Sequence, residues 1–145
     1  MKAYFLDTSI IIDYLRGKTM SVQIIDGLDG PLTSSFICLA ELFEGVYNSK
    51  DVKQAKSAVI GFFNGLSRIY TIDREVAEKF GALRKELKDR GKVIEDIDII
   101  IASICLVYSL TIVTLNVKHF SRIEGLKIAD IGVPSEEKAQ RAKRQ

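Results

Sequence analysis

Three acidic residues of this chain stand among apolar neighbours, where an ionised carboxylate needs a partner. Asp7 follows the apolar run 3–6, and Glu41 lies within the apolar stretch 36–43. Asp98 has isoleucines on both sides and no polar residue within the turn that follows it. Burying such a carboxylate alone costs several kcal/mol. Because carboxylate oxygens are preferred ligands of Mg²⁺ and Mn²⁺, the three acids predict a metal site suited to phosphodiester hydrolysis.

Each acid also has a simpler interpretation in the local sequence. Asp7 could do no more than cap the helix that follows it, a common task for Asp. Glu41 could be a surface glutamate on the polar edge of a helix, although Glu44, one turn later, suits that task better. Asp98 could have a purely structural role, but its isoleucine neighbours favour a functional one.

Polar residues near these acids extend the candidate site. Asp96 and Asp98 are two residues apart, so on a regular helix they point nearly opposite ways. We therefore expect Asp96 to cap the helix and Asp98 to face the site. Asn116 follows a predicted strand, where its amide oxygen could hold a metal-bound water or its backbone could simply form a turn. His119 is the only histidine, which leaves nothing for a His-rich zinc site.

Alternating strands and helices would bring these residues together. Short apolar runs predict five strands, at 3–6, 32–33, 69–72, 111–114 and 127–131. Apolar residues at helical spacing predict helices at 9–15, 22–28, 39–46, 52–62, 76–87 and 96–108, the third and fourth forming a hairpin. Ser34 or Ser35 is expected to cap the third helix and Asp73 the fifth.

This alternation predicts an α/β fold, a three-layer α/β/α arrangement around a mainly parallel sheet of about five strands. In such sheets ligands bind beyond the carboxyl ends of the strands. Asp7 stands at that end of the first strand, which we expect to be central.

Composition fits one domain of a soluble globular protein, which we place at residues 1–133, before a polar basic tail at 134–145. The apolar stretch 97–108 is shorter than the roughly 20 residues that span a bilayer. The first residues do not resemble a signal peptide, so we expect a cytoplasmic location and no membrane partner. Cys38 and Cys105 lie in apolar runs and are expected to be structural thiols.

The formal net charge of +2 is too small to prove nucleic-acid binding. Basic residues gather in three places that are either contact points for RNA or ordinary solvated surface: Lys85, Lys88, Arg90 and Lys92; Lys118, His119 and Arg122; and Lys138, Arg141, Lys143 and Arg144.

Four stretches in register resemble the PIN-domain ribonucleases, specifically the VapC-like toxins of type II toxin-antitoxin pairs. Each motif is weak alone, but their order and spacing match over nearly the whole chain. They are Phe5-Leu6-Asp7-Thr8-Ser9 with 10–13 after it, Leu39-Ala40-Glu41-Leu42, Asp96-Ile97-Asp98 with 99–102 after it, and Ile112-Val113-Thr114-Leu115-Asn116 with Phe120 beyond.

The resemblance implies a metal-dependent endoribonuclease that uses Mg²⁺, with Mn²⁺ as a substitute. It makes Asp7, Glu41 and Asp98 the catalytic, metal-binding acids and places Asn116 where relatives carry Asp or Asn. Because Asn116 is neutral, the presence of a second metal is left open. The pocket would also be lined by Thr8, Ser9 and Thr114. RNA as substrate, a homodimer, and a small antitoxin protein that blocks the site are implied as well.

Other functions fit the sequence less well. A phosphatase of the haloacid-dehalogenase type would need an Asp where Ser9 stands, and a P-loop ending at 17–19 would need a glycine where Ile12 stands. A non-catalytic RNA-binding or scaffold module with the same fold would have little use for Asp98 among isoleucines.

Overall fold

The computed structural model describes residues 2–132, so the tail expected at 134–145 lies outside the described residues. The strands are β1 (Tyr4–Leu6), β2 (Leu32–Ser35), β3 (Arg68–Tyr70), β4 (Thr111–Val113) and β5 (Lys127–Ile128). The helices are α1 (Thr8–Leu15), α2 (Thr19–Asp26), α3 (Phe36–Tyr47), α4 (Val52–Asn64), α5 (Arg74–Asp89), α6 (Asp96–Val107) and α7 (Val117–Phe120).

All five strands pair in parallel, in the order β3-β2-β1-β4-β5. Strand β1 is therefore central, as the sequence predicts, with β2 on one side and β4 on the other. Its last residue, Leu6, is level with Val113 at the end of β4. The residues that follow these two strands consequently emerge side by side at the same edge of the sheet.

Helices cover both faces of the sheet. Helix α1 packs against α2 and α3, and α3 packs against α4, which confirms the predicted hairpin. On the other side α5 packs against α6, and α6 against α7. Right-handed crossovers put these two groups on opposite faces, giving the predicted three-layer arrangement. The central strands are buried on both faces accordingly, and Phe5, Leu6, Ile112 and Val113 are fully inaccessible to solvent.

Local hydrogen bonds explain several helix starts. Ser35 caps α3 by accepting from the Cys38 N–H at 3.2 Å, and Asp73 caps α5 by accepting from the Val76 N–H at 2.9 Å. Both caps agree with the sequence prediction. Of the two candidate serines, Ser35 is the one that caps α3.

Some predicted boundaries were wrong. Strand β5 has two residues instead of the predicted 127–131, and β3 ends at Tyr70 rather than at 72. Helix α2 begins at Thr19, three residues before its predicted start, and the short helix α7 was not predicted. These elements are short or start with polar residues, so hydrophobic periodicity marks them poorly.

The two cysteines are free and buried, as expected of structural thiols. Burial raises the pKa of the Cys38 thiol to about 11, which keeps it protonated near neutral pH. No helix within residues 2–132 is long and apolar enough to cross a membrane.

Candidate active site

Asp7 lies between the end of β1 and the start of α1 with only 4% of its surface exposed. It occupies the N-cap position, where no full capping hydrogen bond forms, although the nearby backbone N–H groups of Thr8 and Ser9 lower its pKa. Its Oδ2 atom instead accepts hydrogen bonds from Thr114 Oγ1 at 2.7 Å and from Ser9 Oγ at 3.1 Å. Burial raises the pKa of Asp7, and the two hydroxyl groups oppose that increase.

The hydroxyl groups of Ser9 and Thr114 also bind the chain that follows β4. Thr114 Oγ1 accepts from the Asn116 N–H at 2.9 Å, and Ser9 Oγ accepts from the Leu115 N–H at 3.0 Å. Thr114 is fully buried. A single hydrogen-bond network therefore joins the start of α1 to the carboxyl end of β4, with the Asp7 carboxylate at its centre.

Glu41 reaches the same region from the middle of α3. It is half-buried, and its Oε1 atom accepts a hydrogen bond from Thr8 Oγ1 at 2.7 Å. Burial raises the pKa of Glu41; the Thr8 hydroxyl opposes this effect, whereas the charges of Asp7 and Asp98 add to it. Glu41 is therefore not the solvated surface glutamate of the simpler interpretation.

Asp98 approaches from the first turn of α6, with 15% of its side chain exposed. Burial raises its pKa first, and the nearby charge of Asp7 raises it further. His119 on α7 acts in the opposite direction, since its Nδ1 atom lies 3.6 Å from Asp98 Oδ2. The charge of Asp7 thus raises the pKa of both other acids, although the three come from separate segments of the chain.

The predicted role of Asp96 as a helix cap was wrong. The N-cap of α6 is Glu95, and Asp96 is the first helical residue. Its carboxylate forms an exposed ion pair with Arg84 of α5, at 3.0 Å between Nε and Oδ1. A basic partner on the neighbouring helix turns Asp96 outward, away from the other acids.

Glu95 was missed by the sequence analysis, and its charge raises the pKa of both Glu41 and Asp98. Its spacing from Asp98 could have indicated that the two carboxylates are neighbours, because residues three apart lie on the same side of a helix. His119 was considered only as a zinc ligand, and its approach to Asp98 depends on the unpredicted helix α7.

Asn116 is exposed at the N-cap of α7, and its side chain makes no capping hydrogen bond. Its backbone N–H, rather than its amide, is bound to the site through Thr114. Between described residues, no hydrogen bond joins the Asn116 side chain to Asp7, Glu41 or Asp98.

The chemistry of these side chains fits a hard divalent cation, since the donors are carboxylate oxygens in poorly solvated positions. Within residues 2–132, however, no three Asp, Glu, His or Cys side chains already converge closely enough to hold one ion. The acids share an electrostatic environment in which a cation would offset their mutual repulsion.

Comparisons with a family model and with individual relatives point to the same protein family. The model of the PIN domain matches residues 4–126. The chain is 32% identical over 127 residues to Ribonuclease VapC1 of Methanocaldococcus jannaschii, covering 86% of this chain and 85% of that protein. It is also 32% identical over 133 residues to the tRNA(fMet)-specific endonuclease VapC of Shigella flexneri, covering 90% and 98%.

Solved structures agree with the sequence comparison. A chain in the crystal structure of VapBC2 from Rickettsia felis, bound to a DNA fragment from their promoter, superposes with a TM-score of 0.80 at 31% identity. The superposition covers 88% of this chain and 97% of that one. The chain therefore belongs to the PIN domain family, among its VapC-like members.

Proposed function

We propose that this protein is a metal-dependent endoribonuclease that hydrolyses RNA phosphodiester bonds at Asp7, Glu41 and Asp98. The observation that carries this proposal is the placement of three poorly solvated carboxylates from separate segments beside the carboxyl end of the central strand. The relatives named as ribonucleases support the choice of RNA as the substrate.

In two of the acids, the hydroxyl groups of the site bind only one carboxylate oxygen. Thr114 and Ser9 bind Oδ2 of Asp7, and Thr8 binds Oε1 of Glu41. Oδ1 of Asp7 and Oε2 of Glu41 would hold Mg²⁺ or Mn²⁺ together with Asp98. When bound, the cation lowers the pKa of a water and offsets negative charge that develops on the phosphate. The hydroxyl groups fix the orientation of both carboxylates before the ion arrives.

We further propose that the protein acts as the toxin of a type II toxin-antitoxin pair and as a homodimer. The VapBC2 structure from Rickettsia felis, named for a two-protein system, supports a cognate antitoxin. A small protein partner that covers the acids would prevent RNA from reaching them.

Cleavage of purified tRNA(fMet), the RNA in the name of the Shigella flexneri relative, tests the nuclease proposal. With Mn²⁺ the wild type should cut it, and a chelator should stop the reaction. Asp7→Ala, Glu41→Ala and Asp98→Ala should each lose more than the roughly 10- to 100-fold typical of residues outside the ligand set. Glu44→Ala is the matched control, because Glu44 is exposed on the same helix as Glu41.

If two of the three alanine variants retained near-normal, chelator-sensitive cleavage, the site would be wrongly assigned. A wild-type protein that binds tRNA(fMet) and other structured RNAs without cutting any of them would instead indicate a non-catalytic RNA-binding module.

A further inference from the structure

The short helix α7 is held at its start by the hydrogen-bond network of the candidate site and at its end by a core residue. Its N-cap, Asn116, donates its backbone N–H to Thr114, which in turn donates to Asp7. At its other end Phe120 is fully buried. These attachments leave little freedom for the residues between them, and one of these is His119.

His119 lies where α7 approaches α6. Its Nδ1 atom is 3.6 Å from Oδ2 of Asp98, and 48% of its side chain is exposed. This contact joins α7 directly to one of the three acids. The gap is slightly longer than a hydrogen bond and too short to hold a water molecule. Contacts of this length are common in ligand-free sites and shorten when the ligand binds.

The three acids follow one pattern. In each, a donor from another segment approaches one carboxylate oxygen: Thr114 approaches Oδ2 of Asp7, Thr8 approaches Oε1 of Glu41, and His119 approaches Oδ2 of Asp98. The first two donors are already within hydrogen-bond distance, at 2.7 Å each. His119 occupies the corresponding position for the third acid.

We propose that His119 is a positioning residue, which donates a hydrogen bond from Nδ1–H to Oδ2 of Asp98 and thereby directs Oδ1 towards the metal ion. This inference rests on the proposed function. Both the charged imidazole and the neutral form protonated at Nδ1 carry this hydrogen, so the role does not require a change of charge. Partners of this kind commonly hold ligating carboxylates in place.

Calorimetric titration of the full chain with Mn²⁺ at one fixed pH tests the proposal. His119→Ala and His119→Phe remove the donor, the second while keeping a ring of similar size. Each should weaken Mn²⁺ binding by about 10- to 100-fold. His119→Asn places an amide N–H close to the Nδ1 position and should restore the dissociation constant to within about threefold of wild type.

Ser121→Ala separates positioning from a merely structural role. The Ser121 hydroxyl donates to the Lys118 carbonyl at 2.9 Å, so its loss loosens α7 without touching Asp98. This variant should bind Mn²⁺ as the wild type does. Thermal melting of each variant confirms that it is folded.

Wild-type Mn²⁺ affinity in both His119→Ala and His119→Phe would overturn the role of His119 while leaving the proposed nuclease intact. An Asn variant as weak as the Ala variant would also overturn it, because the ring and not the donor would then matter. A wild-type protein that neither binds Mn²⁺ nor cleaves RNA would overturn both proposals.

Discussion

At the scale of single residues, the candidate site is defined by three carboxylates in poorly solvated positions. Asp7, Glu41 and Asp98 all have a raised pKa, with burial as the largest cause. The exposed acid Asp96, by contrast, has Arg84 beside it. Poor solvation thus distinguishes Asp98 from Asp96, which lies on the same helix.

These raised pKa values predict how the metal-free protein responds to pH. A carboxyl group with a raised pKa in the folded state stabilises the fold fully below its unfolded-state pKa, and this stabilisation is lost as pH rises through the folded-state value. The unfolded-state values are near 3.8 for Asp and 4.5 for Glu. Thermal melts without metal should therefore show higher stability at about pH 5 than at about pH 8.

Asp98→Asn should raise the melting temperature of the metal-free protein at about pH 8, because it removes one of the repelling charges. Glu44→Gln, which removes an exposed carboxylate, should leave it nearly unchanged. Mn²⁺ at a hundredfold excess over its dissociation constant should add about 2.7 kcal/mol to the wild type and less to the Asn variant. An Asn variant that melts well below the wild type without metal would show that Asp98 has a structural hydrogen-bonding role.

Some of this residue-scale detail could be predicted from the sequence and some could not. Isoleucine on both sides of Asp98 marks it without any structure. The electrostatic effect of Glu95 and the contact of His119 depend on how α6 and α7 are placed, and no local pattern encodes those distances. The outward turn of Asp96 likewise depends on Arg84, twelve residues away.

At the scale of elements, hydroxyl groups join the start of α1 to the turn after β4. Thr114 both donates to Asp7 and accepts from the Asn116 N–H. The order and type of the longer elements followed from apolar runs and helical spacing. Helix α7, with four residues, is too short for such spacing, so the element that carries His119 had no periodic signal.

Thr114→Val keeps the shape of the side chain but removes its hydrogen bonds with Asp7, the Asn116 N–H and Ser9. It leaves the Asp7 carboxylate and the Asn116 N–H without this partner, so we expect a loss of about 1–3 kcal/mol in the free energy of unfolding. Urea denaturation followed by circular dichroism measures this loss, and Thr114→Ser, which retains the hydroxyl, should stay close to wild type. Equal midpoints for the Val variant and the wild type would mean that the network contributes no net stability.

At the scale of the whole molecule, the fold gathers acids in a protein whose formal net charge is +2. The sheet order places β1 at its centre, with both neighbouring strands parallel to it. The acids lie beside the carboxyl edge of that sheet, where a cation would offset the repulsion between them and an anionic RNA. The PIN domain match at 4–126 includes all three acids.

Expression of the chain without an antitoxin should arrest bacterial growth, because unrestrained RNA cleavage would stop protein synthesis. Asp98→Asn should relieve the arrest when immunoblots show equal amounts of the two proteins. Growth curves after induction measure the difference. Equal inhibition by both proteins would trace the arrest to something other than cleavage.

The hydrogen bond between Thr114 and Asp7 joins residues 107 positions apart. During synthesis this bond can therefore form only after most of the domain has been made. Asp7 leaves the ribosome early, but its hydroxyl partner and the second neighbour of β1 are among the last parts of the domain to emerge. Domains generally fold as units while the chain is made at about 5–20 residues per second. A nascent chain that ends before β4 therefore lacks Thr114 and the second strand neighbour of β1, and the hydrogen-bond network around Asp7 cannot form until nearly the whole domain has been translated.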